Sequence, residues 1–145
     1  MNSHTTSLKK FLILTVVGTV VYYAFGWFIF DFILGAYTEQ NTTQLVGFKK
    51  TSEQFSMSYL TLSCAAYAVL ITYVIAVLTN TNRGMKGLII GATIGVLVAV
   101  MADSYWLASS NFYNNIAVAA ADVLGAAVSV GVLGWVIALL SGRIK

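Results

Sequence analysis

A chain of 145 residues that is 59% hydrophobic and only 9% charged lacks the polar surface of a soluble domain, where about 25% of residues are charged and about 45–50% apolar. Its net charge of +3 is scattered over the flanks of apolar runs rather than gathered on one face, which excludes a basic nucleic-acid-binding surface. A single cysteine, Cys64, and a single histidine, His4, exclude an intrachain disulfide and a metal centre built on His and Cys.

The polar tail MNSHTTSLKK ends in Lys9 and Lys10. The first apolar run, residues 11–34, exceeds the about 7–15 residues of a signal-peptide core, and no small-residue cleavage site follows it, so it predicts an uncleaved signal anchor. Residues 36–54 are polar and close on Thr51-Ser52-Glu53-Gln54, a capping-box spacing that starts a helix directly before the second run, 55–78. TNTNRG (79–84) predicts a tight turn, residues 85–107 a third run, SSNFYNN (109–115) a second turn, and residues 116–140 a fourth run. Each run reaches about 20 residues, enough to cross about 30 Å of hydrocarbon at the helical rise. Barrel strands would alternate in polarity, whereas these runs are apolar throughout. The expectation is an all-α fold: one transmembrane domain over residues 1–145, folded as a four-helix bundle. With no proline in the chain, no kink of that origin is expected.

Basic residues set the orientation. Lys9, Lys10, Arg83, Lys86, Arg143 and Lys145 flank one side, and Lys49 and Lys50 the other. This predicts a multi-pass protein of the inner (plasma) membrane with both termini cytoplasmic. Trp27, Tyr37, Tyr105, Trp106 and Tyr113 then form an aromatic belt at the outer interface.

Three carboxylates, Asp31, Asp103 and Asp122, fall within or at the ends of apolar runs, where ionisable residues mark function by default. The topology places all three in the outer third of the membrane, on three different helices. Thr19, Tyr23, Trp27 and Asp31 recur every four residues on the first helix, and Gly87, Gly91, Gly95, Ala99 and Asp103 on the third. Ala119, Asp122, Gly125 and Ser129 share a face of the fourth, and Ser56, Tyr59, Ser63 and Tyr67 form a polar stripe on the second. Small residues at this spacing mark close helix approach. We therefore expect a ligand or ion pocket of Asp31, Asp103, Asp122, Tyr23, Trp27, Tyr59 and Ser63, above a packing zone of Gly87, Gly91, Gly95 and Gly125.

Plainer readings stand beside these. Asp31 and Asp103 could sit among headgroups, and Asp122 could pair with Asn114, Asn115 or a tyrosine. The glycine row could pack within the chain or at a dimer contact, and Cys64 could be a small core hydrophobe. No nucleophile-plus-base pair, phosphate-cradling loop or cofactor fingerprint appears, so the expectation is a non-enzymatic protein with no cofactor and no metal. Its partners would be the lipid bilayer and a second copy or a membrane-complex subunit. It would bind a small ligand, or pack as an accessory subunit, through the outer pocket. The alternative is a proton- or cation-coupled carrier or channel using the three aspartates.

The stretch Phe25-Gly26-Trp27-Phe28-Ile29-Phe30, with Leu34-Gly35 closing the first run, resembles an uncharacterised bacterial group of small four-helix membrane proteins known as domain of unknown function 1761. Its members similarly carry a Gly/Trp/Phe-rich end to the first helix and a long loop before the second. The resemblance implies the four-helix layout and no activity.

Overall fold

The computed structural model describes residues 7–45, 50 and 53–144. Helix α1 (Leu8–Gly26) starts at Ser7, whose hydroxyl accepts from the Lys10 N–H at 3.2 Å. It runs on without a break into a π-helical segment, Trp27–Ile33, closed by the Leu34 N–H donating five residues back to the Ile29 carbonyl at 2.9 Å. The polar stretch then opens with a short helix, α2 (Gly35–Asn41). Helix α3 (Met57–Thr72) starts after Ser56 and widens into a second π-helical segment, Tyr73–Leu78. This start lies slightly beyond the Phe55 expected from the sequence; Thr51 and Ser52 of the capping box fall outside the described residues, as do His4, Lys49 and Lys145. Asn80 ends the second span with a positive φ of 41°, a left-handed conformation that asparagine tolerates better than most residues. Helices α4 (Gly84–Ser109) and α5 (Ile116–Ser141) complete the chain, the latter capped by the Asn115 side chain accepting from Ala117 N–H at 2.8 Å.

Four helices, Leu8–Ile33, Met57–Leu78, Gly84–Ser109 and Ile116–Ser141, are long and apolar enough to cross a membrane. Their outward faces are as apolar as their inward ones: Leu12, Val16 and Val20 on α1, Ile89 and Met101 on α4, and Leu124 and Val128 on α5 are all exposed. Helices of a water-soluble bundle show a polar outer face, and an apolar patch this extensive has no place in water. The architecture is an all-α four-helix bundle compatible with a multi-pass membrane protein.

The tightest pair is α4 with α5. Gly87, Gly91 and Gly95 are buried at their contact, and a Cβ at each would lie within 2.6 Å of a backbone carbonyl oxygen, of Gly134, Val130 and Ala126 respectively. The expected row therefore packs within the chain. Its counterpart Gly134 faces back onto the Gly87 carbonyl. Gly125 serves a different contact, because a Cβ there would meet Ile29, Phe30 and Leu34 of the first span. Ile71, Ile75, Val130, Leu133, Ile137 and Ala138 form the core beside these contacts, with Tyr22 and Tyr67 packed against it.

Candidate functional site

At the end of the bundle that carries α2, the chain following α2 is clamped to the turn between α4 and α5. Thr43 N–H donates to the Phe112 carbonyl at 2.8 Å and Asn114 N–H to the Asn41 carbonyl at 3.0 Å, with Thr42 and Tyr113 paired as an isolated antiparallel bridge. The Thr43 hydroxyl adds hydrogen bonds to the Asn111 carbonyl and, at 3.0 Å, to the Asn114 side chain.

This clamp holds Tyr113 so that its hydroxyl donates to Asp103 Oδ1 at 2.7 Å. Asp103 is 5% exposed and its second oxygen, Oδ2, is buried without a hydrogen-bond partner among the described residues. Asp103 is therefore not an exposed carboxylate: its i+4 register with the glycine row turns it into the bundle. Burial first, and then the Asp103 carboxylate, push the Tyr113 phenol up from its ordinary value, so it keeps its proton and remains a donor well into alkaline solution.

Asp122 lies half-buried on α5, on the face it shares with the buried Ala119, Gly125 and Ser129. It lies within electrostatic reach of Asp103, Tyr22, Tyr67 and Tyr113. The Tyr22 and Tyr67 rings meet in a tilted pair, 4.8 Å between centroids. Every span thus contributes to one polar cluster: Tyr22, Tyr67, Asp103 and Asp122, with Tyr113 supplied by the turn. The Asn114 and Asn115 side chains are engaged elsewhere, with Thr43 and Ala117.

A larger and a smaller cavity adjoin the first span. The larger, about 510 Å³, is lined by residues that include Asp31, Thr38, Glu39, Gln44, Lys50 and Phe112. The smaller, about 180 Å³, lies between the first and second spans and is lined by Tyr22, Tyr23, Gly26, Trp27, Phe30, Asp31, Leu60, Ser63 and Cys64. Phe30 and Asp31 line both, the larger being termed the vestibule and the smaller the chamber. Both residues belong to the π-helical segment, a geometry that is rare and recurs at functional sites.

Among the residues expected to form one pocket, Tyr23, Trp27, Asp31 and Ser63 share the chamber, whereas Asp103 and Asp122 line neither cavity and belong to the buried cluster. Tyr22 touches both groups. Tyr59 is 74% exposed and lines neither cavity. The reason is angular: an i+4 stripe drifts about 40° per step on an α-helix, so with Tyr67 inward Tyr59 stands about 80° round. The buried face of α3 instead follows Cys64, Ala68, Ile71 and Thr72. Sequence reasoning missed Tyr22 and Phe30, which carry no polar periodicity, and placed Tyr113 only in the aromatic belt. Among the described residues, no group of three His, Cys, Asp or Glu side chains could hold a metal ion.

The chain matches no family model, no curated protein and no solved structure. The functional reading rests on the site itself.

Proposed function

We propose that the protein is a non-enzymatic multi-pass membrane protein that binds a small ligand in the chamber beside the first span, entered through the vestibule. The supporting observation is that Tyr23, Trp27, Asp31 and Ser63 line one cavity, walled by residues that also line a larger one. A few polar groups in a mostly aromatic and aliphatic lining is the usual make-up of a ligand site. Packing as an accessory subunit draws no support from the glycine row, whose faces are filled by α5 of the same chain. Native mass spectrometry of protein released from its own membrane tests the proposal. Wild type should retain a small-molecule adduct that Ser63→Trp, which adds an indole to the chamber lining, loses. No adduct on wild type, or the same adduct on both, would sink it.

A second reading, a proton- or cation-coupled carrier, is favoured by a separate observation: Asp122 lies within electrostatic reach of Asp103, whose buried Oδ2 has no hydrogen-bond partner among the described residues. A proton or small cation between the two carboxylates would relieve their repulsion. The expected result is flux in proteoliposomes that depends on pH and disappears in Asp122→Asn. Flux that survives the substitution would rule this reading out.

We further propose that both termini face the cytoplasm, from the six basic residues that flank one side against two on the other. Exposed positions on opposite ends provide the test, in a Cys64→Ala background. An impermeant maleimide applied to intact cells should label Gln44→Cys and leave Asn82→Cys untouched. The reverse pattern would invert the topology.

A further inference from the structure

Resting on the ligand-binding reading above, we infer that the chamber is an ammonium site: it takes a small alkylammonium group, with Asp31 as counter-ion and Tyr22, Tyr23, Trp27 and Phe30 as aromatic walls. Four of its nine lining residues are aromatic and one is a carboxylate, while lysine and arginine are absent from that lining. The faces of aromatic rings carry negative charge density, and a cation within about 6 Å of a ring centroid is held by it. An anion would meet the same faces, and Asp31, as repulsion.

The Asp31 side chain makes no hydrogen bond or ion pair among the described residues. It is exposed, at the end of the first span, and lines both the vestibule and the chamber. A carboxylate that lines a cavity and has no side-chain partner among the described residues is available to a cation from outside the chain. Lys50 lines the vestibule but not the chamber, so it does not compensate Asp31 within the smaller space.

Size and donor count then choose among cations. A bare calcium ion wants about six to eight oxygen ligands. The chamber side chains carry oxygen only on Asp31, Ser63 and the two tyrosines. A methylated or primary ammonium group asks for less oxygen and more carbon contact. A cavity of about 150 Å³ holds a molecule the size of benzene, so a chamber of about 180 Å³ has room for a headgroup-sized ammonium. Gly26 contributes to this room, because a Cβ built there meets nothing within 4 Å.

Such an ammonium could come from a free solute or from a phospholipid headgroup, and the test separates them. The protein carries three tryptophans, and a Trp106→Phe, Trp135→Phe variant leaves Trp27 as the sole indole reporter. It is placed in nanodiscs of phosphatidylglycerol alone and titrated with choline, and separately with the neutral carbon isostere dimethylbutanol. Choline should change Trp27 emission saturably, and the isostere should bind at least about tenfold more weakly, the scale of a partly desolvated cation–π and ion-pair contribution. Asp31→Asn should weaken choline by about the same factor, and Gly26→Leu, which has space for its side chain, should abolish the response. Repetition in phosphatidylcholine nanodiscs assigns the source: loss of the free-choline response identifies the headgroup as the native occupant, and persistence identifies a free solute. Absence of a saturable choline response in phosphatidylglycerol, or indifference to Asp31→Asn, overturns the ammonium assignment. Equal binding of the isostere does so too, yet leaves the chamber a ligand site, whereas a small-molecule adduct unaffected by Ser63→Trp removes the underlying reading itself.

Discussion

Gly91→Leu should open the bundle at temperatures well below those that open the wild type. A Cβ at position 91 would stand 2.2 Å from the Val130 carbonyl oxygen, 3.0 Å from its carbon and 3.2 Å from Gly134 Cα. These are backbone atoms of a neighbouring helix, so no rotamer change can clear them. Even alanine must push α4 and α5 apart, at the about 1–3 kcal/mol typical of overpacking. Leucine forces a wider gap and strips contact from the whole row, because Gly87 and Gly95 depend on the same close approach. The hydrogen that replaces Cβ in glycine also faces the Val130 carbonyl, a weak contact of about 0.5–1 kcal/mol that the substitution removes. Cys64 supplies the readout: it is the only cysteine and 4% exposed, so a thiol-reactive dye too bulky for the chamber should react with it faster once helix packing is lost. Leu97→Ala, at a position 64% exposed on the same helix, should shift the melt little. An unchanged Gly91→Leu melting curve would show that the α4–α5 contact does not exist.

Tyr113→Phe should also destabilise the protein, by a different route. It removes the donor to Asp103 Oδ1 and leaves a buried carboxylate whose other oxygen already lacks a partner among the described residues. Hydrogen bonds to charged groups are worth about 1.5–3 kcal/mol, and the partial exposure of Tyr113 argues for the lower end, about 1.5 kcal/mol. A double-mutant cycle with Asp103→Asn separates this bond from general disturbance, and the two losses should be less than additive. Full additivity would mean that the bond contributes nothing. The pH dependence has a definite sign. The folded-state phenol is pushed above its ordinary value, by burial first and by Asp103 second. Its stabilising contribution is therefore complete below the unfolded value of about 10 and is lost only as pH rises through the folded one. The gap between wild type and Tyr113→Phe should be flat in this contribution from neutral pH to about 10 and narrow only above that. A gap that closes between neutrality and pH 9 or so would contradict the bond as the source.

Much of the bundle was legible in the sequence, for a reason that particular residues display. Span length follows from the run of apolar side chains, since a backbone in hydrocarbon must satisfy its own hydrogen bonds and only a helix does so within one segment. The expected runs 85–107 and 116–140 accordingly fall inside α4 (Gly84–Ser109) and α5 (Ile116–Ser141). The glycine row was legible because an i+4 spacing of residues without side chains has one structural consequence, close approach. Asp103 inherits its burial from that row and Asp122 from the face of Gly125 and Ser129. The extra helix α2 and the two π-helical segments were not legible. A shift of hydrogen bonding to five residues back, as from Leu34 to Ile29 and from Thr79 to Val74, leaves no mark in composition.

By itself the sequence determined the number of spans, their lengths and which residues share a helical face, all of them properties of a single segment and its solvent. Only the tertiary structure decided what each face meets. The Gly87–Gly95 row could equally have served a second copy of the chain, and it is α5, through Val130 and Gly134, that fills it. Helix rotation decided that Tyr67 turns inward while Tyr59 does not, and that Asp31 joins Trp27 and Ser63 in a chamber apart from the other two aspartates. Tyr113 reaches Asp103 because a clamp from Asn41 and Thr43, distant in the chain, fixes the turn that carries it. Helical periodicity sets angles within one helix, whereas the azimuth of one helix against another is set by the mutual fit of both surfaces, which neither segment encodes alone.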